Sequence, residues 1–114
     1  MSLTSFLTTI KQSPETVSFT NTMQIITDNY IYSATAFSNG DTVNLAATNE
    51  GSCKIFAFAQ LHNLTVEQTL NCFGDYYRVD VLQHPDDLNH ANIRNFITHG
   101  WQDIAFESQA LQLK

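Results

Sequence analysis

Tyr77, Arg78, Asp80, His84, His90, Asn92 and Arg94 fall within eighteen consecutive positions of a chain that is otherwise poor in charge. Together they hold most of the side-chain types that bind an anion or move a proton. An arginine presents a planar fork to a carboxylate or phosphate, and Arg78 and Arg94 could close on one anion from two sides. A histidine flanked by carboxylates titrates near neutral pH and can act as acid or base. The bland reading uses the same residues: Arg78 pairs with Asp80 or Asp75, a histidine caps the loop, and the set only braces a corner. The seven residues are therefore candidates for a binding or catalytic site, with bracing as the favoured reading of the residues by themselves.

His84, Asp86, Asp87 and His90 offer two imidazoles and two carboxylates, a donor set that suits one divalent ion. The spacing argues against it. Six positions separate the histidines across a proline-containing loop, whereas HExxH presents both rings from one helix face, so no metal and no cofactor is expected. Cys53 follows a predicted helix start and precedes Lys54, a setting that lowers a thiol pKa. No histidine base can be paired with it, and Cys53 and Cys72, nineteen positions apart, read as buried core thiols and not as a disulfide or a CxxC site. His62 and His99 sit near expected helix C-termini, where the dipole accounts for them. The chain contains no GxxxxGK[ST], GxGxxG or paired CxxC motif.

The elements that must position these residues follow from spacing. Leu3, Phe6, Leu7 and Ile10 recur on one helical face, which predicts a short docking helix. Ser13, Pro14 and Glu15 carry a helix-start signature and predict a first turn leading into a helix with Phe19, Met23, Ile26 and Tyr30, ending about Asn29. IYSATAF, Asn39-Gly40 and DTVNLAA read as a β-hairpin around a turn that needs positive φ. Ser52 is the expected N-cap of a helix whose Ile55, Phe56, Phe58, Ala59 and Leu61 leave almost no polar face, so it should lie at the centre of the core. Thr65 and Gln68 fit a capping box that opens a helix with Val66, Leu70, Phe73, Tyr77 and Val81, stopping before His84-Pro85. Asn89 is the expected cap of a last helix with Ile93, Phe96 and Ile97, Gly100 its stop, and Trp101, Ile104, Phe106 and Leu111 an extended tail. Phe56, Phe73 and Phe96 should share one cluster. The fold class is mostly helical α+β: about five helices, a short hairpin around Asn39-Gly40 and an extended C-terminal tail, in one domain over residues 1–114.

Composition narrows the function. Hydrophobic residues make up 43% of the 114 and charged residues 14%, which excludes the disordered class and predicts a soluble globule. Five basic against eleven acidic residues give a net charge of −6, which repels phosphate backbones and anionic lipid, so neither nucleic acid nor membrane is an expected partner. No apolar run approaches the ~20 residues of a spanning helix. The N-terminus lacks a basic n-region and a continuous apolar h-region, so no cleavable signal peptide is expected and synthesis should be cytoplasmic.

The dispersed pattern GSCK, FAFAQLH, TL, FG, YYR, DVL, HP, then H, NIR, F and GW between Gly51 and Trp101 resembles the HopJ type III effector family. PETVSFTNTM, NY, TAF and NG extend the resemblance upstream, so that it covers nearly the whole chain. It implies an effector delivered by type III secretion in plant-associated bacteria, acting by binding a host or bacterial protein; the family label carries no reaction with it. The first 22 residues contain ten serines and threonines, similar to the polar leader of such proteins, while the Leu3 to Ile10 stripe ties the same segment to the core. A loosely docked terminal helix satisfies both. The alternative function, from the residues alone, is a small enzyme or anion-binding protein using the Tyr77 to Arg94 corner.

Overall fold

The computed structural model describes all residues, 1–114. Helix α1 (Leu3–Gln12) opens on Ser2, whose hydroxyl accepts from the Ser5 amide at 3.0 Å, and buries Phe6 and Ile10. Such caps satisfy one of the four orphan amides of a first turn and contribute about 1 kcal/mol. Ser13, Pro14 and Glu15 do not lead directly into the next helix. They form an isolated 3-10 turn (Pro14–Thr16), and α2 (Phe19–Asn29) starts afresh with Ser18 as its own cap.

The hairpin forms where the Asn-Gly pair requires it. Strands β2 (Phe37–Asn39) and β3 (Thr42–Asn44) pair antiparallel with Asn39 opposite Thr42, and Gly40 takes φ +58° in the turn. The IYS segment does not belong to it. Strand β1 (Tyr30–Tyr32) pairs instead with the chain's end, and the expected loose tail is two strands: β4 (Ile104–Phe106) beside β2, and β5 (Leu111–Leu113) beside β1. Edge pairing satisfies the backbone of a segment too short for independent structure.

Helix α3 (Glu50–Leu61) runs through the middle of the molecule with Cys53, Ile55, Phe56, Phe58 and Ala59 all at 1% exposure or less. It begins two residues before the expected cap: Asn49, in the left-handed region, precedes it, and Ser52 lies inside the first turn. Phe56 is the hub, its ring centroid 5.6 Å from Phe73, 4.9 Å from Phe96 and 6.3 Å from Trp101. The three predicted phenylalanines do share one cluster.

The capping box forms as read, with Thr65 and Gln68 each satisfying the other's amide. The helix it opens is much shorter than its apolar period suggests. Helix α4 (Val66–Asn71) breaks at Gly74, which takes φ +60° where a Cβ would stand 2.6 Å from the Phe19 amide nitrogen. The chain resumes as a π-helical turn (Tyr76–Val81), closed by the Leu82 amide donating to the Tyr77 carbonyl at 3.0 Å. Helix α5 (Ala91–His99) follows a loop and is preceded by left-handed His90; the expected cap, Asn89, bonds elsewhere. Gly100, with φ +64°, ends α5 as predicted.

Candidate functional site

The break at Gly74 turns the chain so that the π-helical turn, the loop 82–90 and the start of α5 form a corner. Arg78 points inward. Its Nη1 donates to the Asn71 side-chain oxygen at 3.0 Å and to the carbonyls of Asn71 and Pro14, both at 3.3 Å, while Nη2 donates to the Val17 carbonyl. One guanidinium thus joins α4, the 3-10 turn and the approach to α2. Its partners are not Asp75 or Asp80 but main-chain oxygens, of which the Val17 carbonyl has no backbone donor of its own, and the Asn71 side chain.

Arg94 does the same for the loop. Its Nε donates to the Asn89 carbonyl at 2.6 Å, Nη1 to the carbonyls of His84 and Pro85 at 3.0 and 3.3 Å, and Nη2 to the Asn89 side chain at 2.9 Å. Neither arginine presents a free fork. His84 gives Arg94 its carbonyl and leaves its ring exposed. Asp80 pairs with His90 at 3.0 Å, with 42% and 27% of the respective side chains exposed, so the pair contributes at most about 1 kcal/mol. Tyr77 lies half-buried against the core, and burial, reinforced by Glu67, raises its phenol pKa. His84, Asp86, Asp87 and His90 do not assemble: no group of three His, Cys, Asp or Glu side chains is placed to hold a metal.

Asn92 belongs to a different assembly, which side-chain types alone did not announce. Five of the ten asparagines, Asn39, Asn44, Asn49, Asn92 and Asn95, meet where the hairpin crosses the starts of α3 and α5. Asn39 donates to the Asn92 carbonyl at 2.8 Å, and Asn49 to the Asn44 side chain at 2.7 Å. The side-chain oxygen of Asn39 is buried without a partner.

A cleft of about 320 Å³ opens above this cluster, lined by Phe19, Thr42, Ser52, Tyr76, His90 and Asn92 among others. The His90 and Tyr76 rings stand 5.2 Å apart and Tyr76 meets the edge of Phe19 at 5.0 Å. Both helices that reach the cleft begin without a side-chain cap. The first intrahelical bonds are Cys53 to Asn49 in α3 and Arg94 to His90 in α5, so the amides of Gly51, Ser52, Ala91, Asn92 and Ile93 precede them. GSCK and the H-NIR stretch, about forty residues apart, thus contribute Gly51 and Ser52, and His90 and Asn92, to one wall system. A second hollow next to it, about 380 Å³, is bordered by Ser18, Asp75, Tyr76 and Asp80.

The thiols stay out of this chemistry. Cys53 is 1% exposed, and burial raises its pKa despite the opposing Tyr32 hydroxyl, Thr35 backbone and Lys54. The lowering that a helix start supplies is outweighed. Cys72 is fully buried and its pKa is pushed up to about 12. Both are free.

Of the seven predicted residues, His90 and Asn92 border the cleft, Asp80 reaches it through His90, Arg78 and Arg94 hold the backbone around it, and Tyr77 and His84 face away to core and solvent. Sequence reasoning missed Val79, Leu82 and Leu88, which stand outward at 37%, 53% and 93% exposure. Its helical period assigned no outward face to a segment that is π-helical and loop.

The sequence model of the family described as HopJ type III effector protein matches residues 3–111. The crystal structure of unknown function protein VPA0580 is similar at 52% identity with a TM-score of 0.99, covering 100% of this chain and 95% of that one. No curated protein matches.

Proposed function

Because the chain belongs to the HopJ type III effector protein family, we propose that it is an effector-type protein that acts by binding a protein partner, and that the Tyr76 to His90 corner is where the partner docks. One observation carries this reading. The two arginines that could have held an anion are engaged by carbonyls, and the corner turns the apolar side chains of Val79, Leu82 and Leu88 outward. Isolated exposed apolar residues are ordinary, but a valine and two leucines on one braced corner are the start of an apolar contact. The π-helical geometry adds weight, since such turns are uncommon and concentrate at functional sites. Delivery by type III secretion is part of the proposal and rests on the family alone.

The test places a photo-crosslinking side chain at position 82 or 88, with position 43 on the hairpin as control, and exposes the folded protein to host and bacterial extracts. A discrete partner adduct from 82 that is lost on Leu88→Ser, and from 88 that is lost on Leu82→Ser, with none from 43, supports the corner. Adducts only from 43, or none that depend on the two leucines, would remove it.

A second reading, a small acceptor-rich ligand in the cleft, is favoured by the amides at the two helix starts beside His90. Thermal melts with phosphate and with dicarboxylates separate the two readings. A shift that Ser52→Val abolishes and Leu82→Ser leaves alone would favour the cleft.

A further inference from the structure

Resting on the partner-binding reading, we propose that the partner is a basic protein surface, in which an apolar groove receives Leu82 and Leu88 while lysine or arginine side chains on its rim meet the aspartates of this corner. The apolar part comes from exposure: Leu88 stands 93% free at the tip of the loop and Leu82 53% free at the end of the π-helical turn. The charge comes from what surrounds them. Asp75, Asp80, Asp86 and Asp87 fall between positions 75 and 90, four of the chain's eleven acidic residues, and Arg78 is the only lysine or arginine in that interval.

Arg78 offers a partner no free fork, because its guanidinium is turned into the carbonyls of Pro14, Val17 and Asn71, and with Arg94 it balances only two of the four carboxylates. Arg94, the nearest following cation, is closed over the loop carbonyls in the same way. The three lysines lie elsewhere: Lys11 in the last turn of α1, Lys54 above the Tyr32 ring at 4.8 Å, and Lys114 at the end of the chain. Asp80 is turned to His90, which leaves Asp75, Asp86 and Asp87 as the exposed charges of the corner, with Asp86 and Asp87 next to Leu88 in the loop.

This arrangement selects its partner twice. An acidic or phosphorylated surface would bring like charges together across the contact, a cost that rejects it, whereas a basic one is drawn in over roughly a Debye length, ~8 Å at physiological salt. The leucines then supply what charge at an exposed rim does not, burial that slows release. Arg94 holds the loop backbone and Arg78 ties the π-helical turn to α4 and the approach to α2, so the aspartates and leucines are presented in a fixed arrangement and little order has to be gained on binding.

The experiment is selection of an unbiased random peptide library on the folded full chain, followed by mapping the winning peptides through amide chemical-shift changes. The expected winners are rich in lysine or arginine interleaved with apolar residues, and they perturb residues 75–90. Their affinity should fall at least roughly tenfold for Asp75→Asn with Asp86→Asn and Asp87→Asn, and the salt dependence should largely disappear. Leu88→Ser, at the most exposed position, should weaken them without moving the melting temperature. Neutral or acidic winners that still map to the corner would overturn the basic partner while leaving the docking site in place. Winners that map elsewhere, or no enrichment, would remove both.

Discussion

Asn44 and Asn92 exchange side-chain hydrogen bonds. The amide of each donates to the side-chain oxygen of the other, at 3.1 and 2.9 Å, with both residues at 5% exposure or less. The pair fastens the hairpin to the start of α5, and Asn39 joins it by donating to the Asn92 carbonyl and side-chain oxygen. A reciprocal pair in a dry setting is worth most when complete, because each broken bond strands a group that water cannot reach. Asn92→Ala should therefore destabilise by about 2–4 kcal/mol in denaturant titration, and the Asn44→Ala, Asn92→Ala cycle should give a coupling of about 0.5–3 kcal/mol. Additive losses would mean that the two amides act independently.

The arginines should behave as braces. Arg78→Ala leaves the Val17 carbonyl and the Asn71 side-chain oxygen without a donor, while the Pro14 and Asn71 carbonyls keep the Val17 and Gly74 amides, and should cost about 2–4 kcal/mol in a thermal or denaturant melt. Arg78→Lys should recover little, since one ammonium cannot span Pro14, Val17 and Asn71 together. Arg94→Ala, nearer the surface, should cost about 1–2 kcal/mol and loosen the 84–89 loop in hydrogen exchange. Binding lost with no loss of stability would instead make the arginines ligand contacts.

What could be read in advance was set by side-chain period and local caps. The α1 stripe, the Thr65 and Gln68 box, the Asn39-Gly40 turn and the Phe56, Phe73, Phe96 cluster each depend on neighbours within a few positions or on plain burial. The candidate site was legible only as a neighbourhood. Arg78 and Arg94 bond main-chain oxygens, which every residue carries and no sequence pattern marks. The asparagine cluster joins positions as far apart as Asn39 and Asn92, and the C-terminal strands exist because β1 and β2 offer them edges. Such non-local pairing overrides local propensity.

Gly74 shows that override most directly. Val66, Leu70, Phe73, Tyr77 and Val81 keep a helical apolar period, yet the chain must clear the start of α2, and only a residue without a side chain can approach the Phe19 amide this closely in a left-handed conformation. Gly74→Ala should cost about 2 kcal/mol or more from the left-handed backbone and the displaced contact together. It should also disturb the corner through Arg78, visible as shifted amides from Asp75 to Leu82. An alanine variant as stable as the parent would show that the segment can straighten into the continuous helix its period favours.

His62 should give the fold a pH dependence of its own. It caps the C-terminal end of α3, its Nε2 hydrogen-bonded to the Tyr30 hydroxyl and its ring 4.7 Å from Phe58. Burial, and then the Lys11 charge at the end of α1, lowers its pKa below the ordinary 6.5. The neutral ring is therefore the folded form, with Nε2 able to accept from the Tyr30 hydroxyl; protonation turns that nitrogen into a donor and sets a second cation near Lys11. Because the folded pKa lies below the unfolded one, this stability is fully present above pH 6.5, where both states are neutral. It is lost as pH falls, since the unfolded chain takes up the proton first, and the loss is complete once the pH has passed below the folded value. Denaturant titrations from pH 7.5 downward should show a slope in the parent that is flatter in His62→Gln, a neutral residue whose oxygen can still accept from Tyr30. Parallel slopes in the two proteins would assign the pH dependence to other groups.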